Sequence, residues 1–139
     1  METGNNLKIF LVDDDAFCRN VYKKHLTDMG YPNTQEFVNG PDCLNNLYQQ
    51  PDVIFLDHGM DYLTGLEVLK KIRAVSPHTY VVLLSGHASI ATAVKALKLG
   101  AVEYIVKGIN ELENMIKVLQ KIAPMIIQRN IKRLLTVGQ

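Results

Sequence analysis

The sequence predicts an α/β domain in which a parallel sheet is wound on both faces by helices. Apolar runs of strand length alternate with stretches of helical period along the chain, the pattern of strands joined by crossover helices. Four of those runs end in a polar residue of a kind that does chemistry. The chain has 139 residues, 47% of them hydrophobic and 21% charged, which suits one domain with a real core and leaves little room for a second.

The elements follow in order. Leu7 to Val12 is the first strand and runs into Asp13-Asp14-Asp15. Cys18, Tyr22, Leu26 and Met29 then lie on one face of a helix that Gly30 stops. A weaker strand spans about Thr34 to Val38, the turn Asn39-Gly40-Pro41-Asp42 follows, and Leu44 and Leu47 mark a short helix. The third strand, in the run Pro51 to Asp57, delivers Asp57 at its end. Leu66, Leu69 and Ile72 form the next helical stripe after Thr64-Gly65, closed by Ser76-Pro77. Tyr80 to Leu84 ends in Ser85, and Ile90, Val94, Leu97 and Ala101 repeat the device. Val102 to Val106 ends in Lys107, and Leu112, Met115, Ile116, Leu119 and Ile122 complete a fifth helix.

Right-handed crossovers leave few topologies for such alternation. In a doubly wound sheet the reactive crevice lies outside the carboxyl ends of the strands, where Asp13, Asp14, Asp57, Ser85 and Lys107 are all expected. Several carboxylates in one place repel one another unless a cation is shared, and hard oxygen ligands suit Mg²⁺. A lysine and a hydroxyl beside them suit a phosphoryl group. The residues therefore describe a site that takes phosphate onto an aspartate, with Asp57 the best candidate. Asp15 is expected to start the first helix, where a carboxylate is favourable at the positive end of the dipole.

Other features narrow the function. A formal net charge of +1 supplies no global field for nucleic acid, and direct nucleic-acid binding is not expected. Cys18 and Cys43 lack metal or redox spacing and read as free thiols of a reducing compartment. No secretory leader or apolar run of membrane length is evident, so a cytoplasmic protein is expected, with no membrane partner. His25, His58, His78 and His87 show no metal-ligand spacing; His58 and His87 flank the expected site. Residues 1–6 are expected to be a disordered N-terminus, and 124–139 a helical extension or linker. Pro124 interrupts the fifth helical pattern, and Ile127, Ile131 and Leu134 begin a new stripe. Two readings of that stripe stand: an extension packed on its own domain or leading to a further module, or a dimerisation or partner-binding helix.

With Asp13 and Asp14 after strand one, Asp57 after strand three, Ser85 after strand four and Lys107 after strand five, the chain resembles the receiver domains of two-component response regulators from about Leu7 to Ala123. Segments such as Lys8-Ile9-Phe10-Leu11-Val12-Asp13-Asp14-Asp15 and Gly65-Leu66-Glu67-Val68-Leu69-Lys70-Lys71-Ile72-Arg73 also read like that family. The resemblance implies a flavodoxin-like sheet of order 2-1-3-4-5 with five helices. It implies Asp57 as phosphoacceptor, Asp13, Asp14, Asp57 and the Gly59 backbone carbonyl as Mg²⁺ ligands, and Lys107 as partner first of Asp57 and then of the phosphoryl oxygens. Ser85 and Tyr104 take the switch positions, and Gly59 and His87 those that tune the lifetime of the acyl phosphate. The partners implied are a sensor histidine kinase or histidine phosphotransfer protein. A second copy is a further candidate, through the fourth helix, fifth strand and fifth helix or through the C-terminal extension.

The chain departs from the family at Met60-Asp61, where Met-Pro is common, and at Lys107-Gly108, where Lys-Pro is usual. A cis bond before a non-proline residue costs about 2.5–4 kcal/mol, so the bond to Gly108 is expected to be trans. Two rival functions remain. Asp13-Asp14-Asp15 also imitates the start of a haloacid-dehalogenase-like phosphatase, but that family needs a further acidic pair after the lysine, and Glu111 and Glu113 fall on a predicted helix. The other rival is a degenerate receiver that binds partners without phosphorylation.

Overall fold

The computed structural model describes residues 6–137. The disorder expected of residues 1–6 therefore falls, apart from Asn6, outside the described residues, as do the last two of the 124–139 segment. Five parallel strands, β1 (Ile9–Val12), β2 (Thr34–Phe37), β3 (Val53–Asp57), β4 (Tyr80–Ser85) and β5 (Glu103–Val106), form one sheet of order β2-β1-β3-β4-β5. Between and after them run α1 (Ala16–Asp28), α2 (Gly40–Leu44), α3 (Gly65–Val75), α4 (Ile90–Lys98) and α5 (Glu111–Val137), with a short 3-10 turn at Leu47–Gln49.

Alternation along the strands makes two cores. Ile9, Leu11, Val53, Phe55, Val82, Leu84 and Ile105 pack with Tyr22 and Leu26 of α1 and Met115, Leu119 and Ile122 of α5. Phe10, Val12, Ile54, Leu56, Val81 and Leu83 face the other way, onto Val68, Leu69 and Ile72 of α3 and Ala96 of α4. All residues of β1 and β3 are buried, as a parallel sheet covered on both faces requires. The α/β fold, strand order and helix count expected from the sequence are all present. Cys18 and Cys43 are both free.

Two helical faces differ from expectation. Met29 caps the end of α1 and is exposed, so the buried part of that stripe is Tyr22 and Leu26. On α4 the expected inward stripe points outward: Ile90 is 84% exposed, Val94 43% and Leu97 51%, while Ala96 is buried. Thr92, Ala93 and Leu99 beside Ala96 are half-buried, and Ala101 is buried beyond the helix end. Apolar residues surround α4, so their spacing does not select a face; the small side chains of Ala93 and Ala96 fit close packing on the sheet.

The fifth helix runs unbroken through Pro124 to Val137. Proline cannot donate to the carbonyl one turn earlier, but Pro124 lies on the exposed side, where water can satisfy the freed group. Beyond it, Ile126 is buried, Ile127 half-buried, and Ile131 and Leu134 exposed. Arg129 holds this part of the helix against the amino ends of β3 and β4. Its guanidinium donates to the His78 carbonyl at 2.7 Å, lies 3.6 Å from the Asp52 carboxylate and sits 6.0 Å from the Tyr80 ring centroid.

Candidate functional site

The sheet brings Asp13, Asp57, Ser85 and Lys107 to one edge by register. Val12 pairs with Leu56, Asp57 with Leu84, and Ser85 with Val106, so the polar residues at or just past the strand ends stand side by side. The ladder continues into the loops: Asp13 N–H donates to the Phe37 carbonyl at 3.1 Å, His58 N–H to Leu84 at 2.8 Å, and Lys107 N–H to Ser85 at 2.8 Å.

The Lys107 ammonium sits between two buried acids, 2.9 Å from Asp13 Oδ2 and 2.9 Å from Asp57 Oδ1. Asp13, only 1% exposed, also accepts the Asp15 N–H at 2.9 Å. Burial holds its carboxyl above the ordinary aspartate value, against the lowering effect of the bonds from Asp15 and Lys107. Burial alone would lower Lys107, but its bonds to Asp57 and Asp13 outweigh that and hold the ammonium above the ordinary lysine value. Lys107 is therefore charged throughout the neutral range and is the fixed cation of the site.

Asp14 is exposed, and ligand oxygens of Asp13, Asp14 and Asp57 all lie within 4.8 Å of one another. Three hard oxygens at that spacing, with only one ammonium between them, fit a divalent cation of the Mg²⁺ or Ca²⁺ type. Asp15 is not part of this cluster. It is the N-cap of α1, accepting from Phe17 N–H at 2.9 Å and Cys18 N–H at 3.3 Å, the helix-starting role its position predicts.

Ser85 and Tyr104 belong to a separate arrangement. The Ser85 hydroxyl lies 3.3 Å from the His87 carbonyl and accepts the His87 N–H at 3.2 Å, while the Tyr104 hydroxyl donates to the same His87 carbonyl at 2.7 Å. The imidazole of His87 is exposed. Gly59 is also exposed, and a Cβ there would stand 3.7 Å from Asp57 Oδ2, so its lack of a side chain leaves the approach to that carboxylate open. The Lys107-Gly108 bond is trans, since no cis peptide occurs among the described residues.

Two contributors were not singled out by sequence reasoning. Gly65 starts α3 where a Cβ would lie 2.7 Å from His58 Cα and 2.9 Å from the Asp57 carbonyl, so only glycine lets that helix abut the loop after β3. The Thr64 capping box with Glu67, legible as Thr-x-x-Glu, marks the place. The other is the His87 backbone carbonyl, a main-chain atom that no residue type announces.

Residues 9–120 match the family described as the response regulator receiver domain. Among curated relatives, the chemotaxis protein CheY of Thermotoga maritima is 30% identical over 101 residues, which cover 72% of this chain and 84% of that one. The transcriptional regulatory protein ZraR of Escherichia coli is 32% identical over 120 residues, 86% of this chain but only 27% of the relative's length. Among solved structures, a response regulator protein from Burkholderia pseudomallei with a phosphorylated aspartic acid, calcium ion and citrate aligns with a TM-score of 0.74. It is 25% identical, and the match covers 90% of this chain and 73% of that one. With the strand order, the acidic cluster and the bridging lysine in place, the chain belongs to the response regulator receiver domain family of two-component systems.

Proposed function

We propose that this receiver accepts a phosphoryl group on Asp57 from the phosphohistidine of a sensor histidine kinase or histidine phosphotransfer protein. The observation that carries the reading is the Lys107 ammonium shared, at 2.9 Å each, by Asp57 and Asp13. An Oδ of Asp57 attacks phosphorus, the P–N bond to the donor imidazole breaks, and the imidazole retains that electron pair and takes a proton. The chain supplies positioning and charge for this transfer. Lys107 follows the charge from the Asp57 carboxylate to the phosphoryl oxygens. Asp13, Asp14, Asp57 and the Gly59 carbonyl would hold Mg²⁺, which when bound supplies positive charge to the same oxygens. The aligned Burkholderia protein, with its phosphorylated aspartic acid and calcium ion, supports both parts of this assignment.

Uptake is read out on the other side of the site. The Ser85 hydroxyl turns from the His87 carbonyl to a phosphoryl oxygen, the loop from Ser85 to Ser89 follows, and Tyr104 loses the acceptor it now holds. The surface that changes is α4, β5 and α5, where Ile90, Val94 and Leu97 are already exposed and a partner or second copy would dock. Residues 124–139 form an extension of the domain at 7–123, serving as a linker or as a second face for dimerisation. No helix among the described residues is long and apolar enough to cross a membrane, and a cytoplasmic kinase domain is the donor this reading assigns.

The phosphatase alternative finds little support, because Glu111, in the stretch where its second acidic pair would fall, bonds instead to Tyr22 and Gly108. Incubation with a small-molecule acyl phosphate and Mg²⁺, followed by intact-mass and peptide mass spectrometry, separates the readings. One phosphoryl group per chain on Asp57 supports the receiver. Many phosphates released per chain each minute supports the phosphatase, and no adduct supports a receiver that works without phosphate.

A further inference from the structure

Lys107 does its work from the turn that directly follows β5. The next residue, Gly108, sits at φ +86°, a conformation open to glycine and closed to proline. Three hydrogen bonds define the backbone here, and the longest, from Ile109 N–H to the Val106 carbonyl at 3.4 Å, closes the turn itself. Lys107 N–H donates to the Ser85 carbonyl at 2.8 Å, and Gly108 N–H donates to Glu111 Oε1 at 2.6 Å.

The second oxygen of Glu111 is also occupied. Oε2 accepts the hydroxyl of Tyr22, a phenol 2% exposed on α1, the helix that follows Asp13 and Asp14. A buried phenol needs a partner, and here the partner is the carboxylate that holds the loop. Burial and the neighbouring Glu111 charge both keep the phenol protonated and donating. Glu111 is itself the first residue of α5, where negative charge is favourable. One carboxylate therefore ties three elements together: the loop carrying Lys107, the start of α5, and α1. Only a group with two acceptor oxygens and no hydrogen can do this with a single side chain.

We propose that Glu111 is a positioning residue for Lys107, fixing the Gly108 peptide and so the backbone from which the ammonium reaches Asp57 and Asp13. The effect on phosphate uptake rests on the reading of Asp57 as phosphoacceptor; the effect on the ion pairs of Lys107 does not.

The test uses the full chain with Glu111→Ala, Glu111→Gln and Tyr22→Phe, the first two also combined with Lys107→Ala. Phosphorylation by a small-molecule acyl phosphate in Mg²⁺ should slow about tenfold in Glu111→Ala, a modest misplacement of one catalytic group. Glu111→Gln should lose less, because its amide oxygen still accepts one of the two bonds. In the Lys107→Ala background the added loss should be below about twofold, since the two residues act as a unit. In parallel, the Lys107 ammonium protons, followed by NMR at fixed neutral pH, should exchange with water faster in Glu111→Ala as the ion pairs loosen. Equal losses with and without Lys107, an unchanged rate, or unchanged ammonium exchange would overturn the proposal. Should the wild-type chain take up no phosphate, the phosphoacceptor reading fails and the exchange of the Lys107 ammonium alone decides the role of Glu111. Glu111→Gln carries the same comparison if the alanine variant does not fold.

Discussion

On the β1–β3 side of the site, Lys107 lies 2.9 Å from each of two buried carboxylates, and Asp13 accepts a further backbone N–H. On the β4–β5 side, Ser85 and Tyr104 converge on a single loop carbonyl, that of His87, by uncharged hydrogen bonds of 3.3 and 2.7 Å. The first arrangement is charge-assisted and screened from water, so moving any member strands a buried charge. The second is built of bonds worth about 0.5–1.5 kcal/mol each, which a phosphoryl oxygen can outbid. The difference separates the labour of the site. Under the proposed function, the locked side would perform the transfer and the loosely held side would register that it has happened.

Breaking the locked side should have the larger consequences. Asp57→Asn keeps shape and removes the nucleophile, so phosphate uptake should vanish while the circular dichroism spectrum is retained; label reappearing on Asp13 or Asp14 in the unmodified chain would count against the assignment. Lys107→Ala leaves two buried acids without their cation. Uptake should fall about a hundredfold or more, the scale of losing a positioned charge in phosphoryl transfer.

A second substitution at the same position, Lys107→Met, tests a pH dependence whose sign follows from the raised value of Lys107. A base held above its ordinary value of 10.5 contributes stability that is complete below that value and is lost as pH rises through the higher folded one. Thermal melts of the wild-type chain should therefore lose stability in the alkaline range more steeply than those of Lys107→Met. Parallel curves would mean that the ammonium gains nothing from Asp13 and Asp57.

The loosely held side should respond more gently. Tyr104→Phe deletes one bond to the His87 carbonyl and should cost about 0.5–1.5 kcal/mol in denaturant unfolding, with the rate of uptake unchanged. A slowed uptake would show that Tyr104 takes part in the transfer. The smallest effect is expected at His87, an exposed residue two positions after Ser85. If the imidazole obstructs an in-line water, His87→Ala should shorten the life of phosphorylated Asp57 by a factor of about 2–10 with formation unaffected. A longer life would make it a water-orienting group instead.

What the sequence disclosed follows the same division. Asp57 and Lys107 were legible because each ends an apolar run of strand length, and parallel register then sets such ends side by side. The His87 carbonyl was not, because a main-chain acceptor has no side-chain signature. Nor was the packed face of α4, where Ile90, Val94 and Leu97 offered the stronger stripe and the small residue Ala96 took the buried position. The hold of Arg129 on Asp52 and His78 was hidden for another reason: it joins positions distant in sequence, and only the length of α5 brings them together.

The most direct test of this division is residue-resolved amide hydrogen exchange of the chain before and after phosphorylation in Mg²⁺. Protection should change from Ser85 to Ile90 and along β5 around Tyr104, while the amides of β1 and β3 keep the protection they had. Changes concentrated at the ends of β1 and β3, with the Ser85–Ile90 loop unaltered, would contradict it.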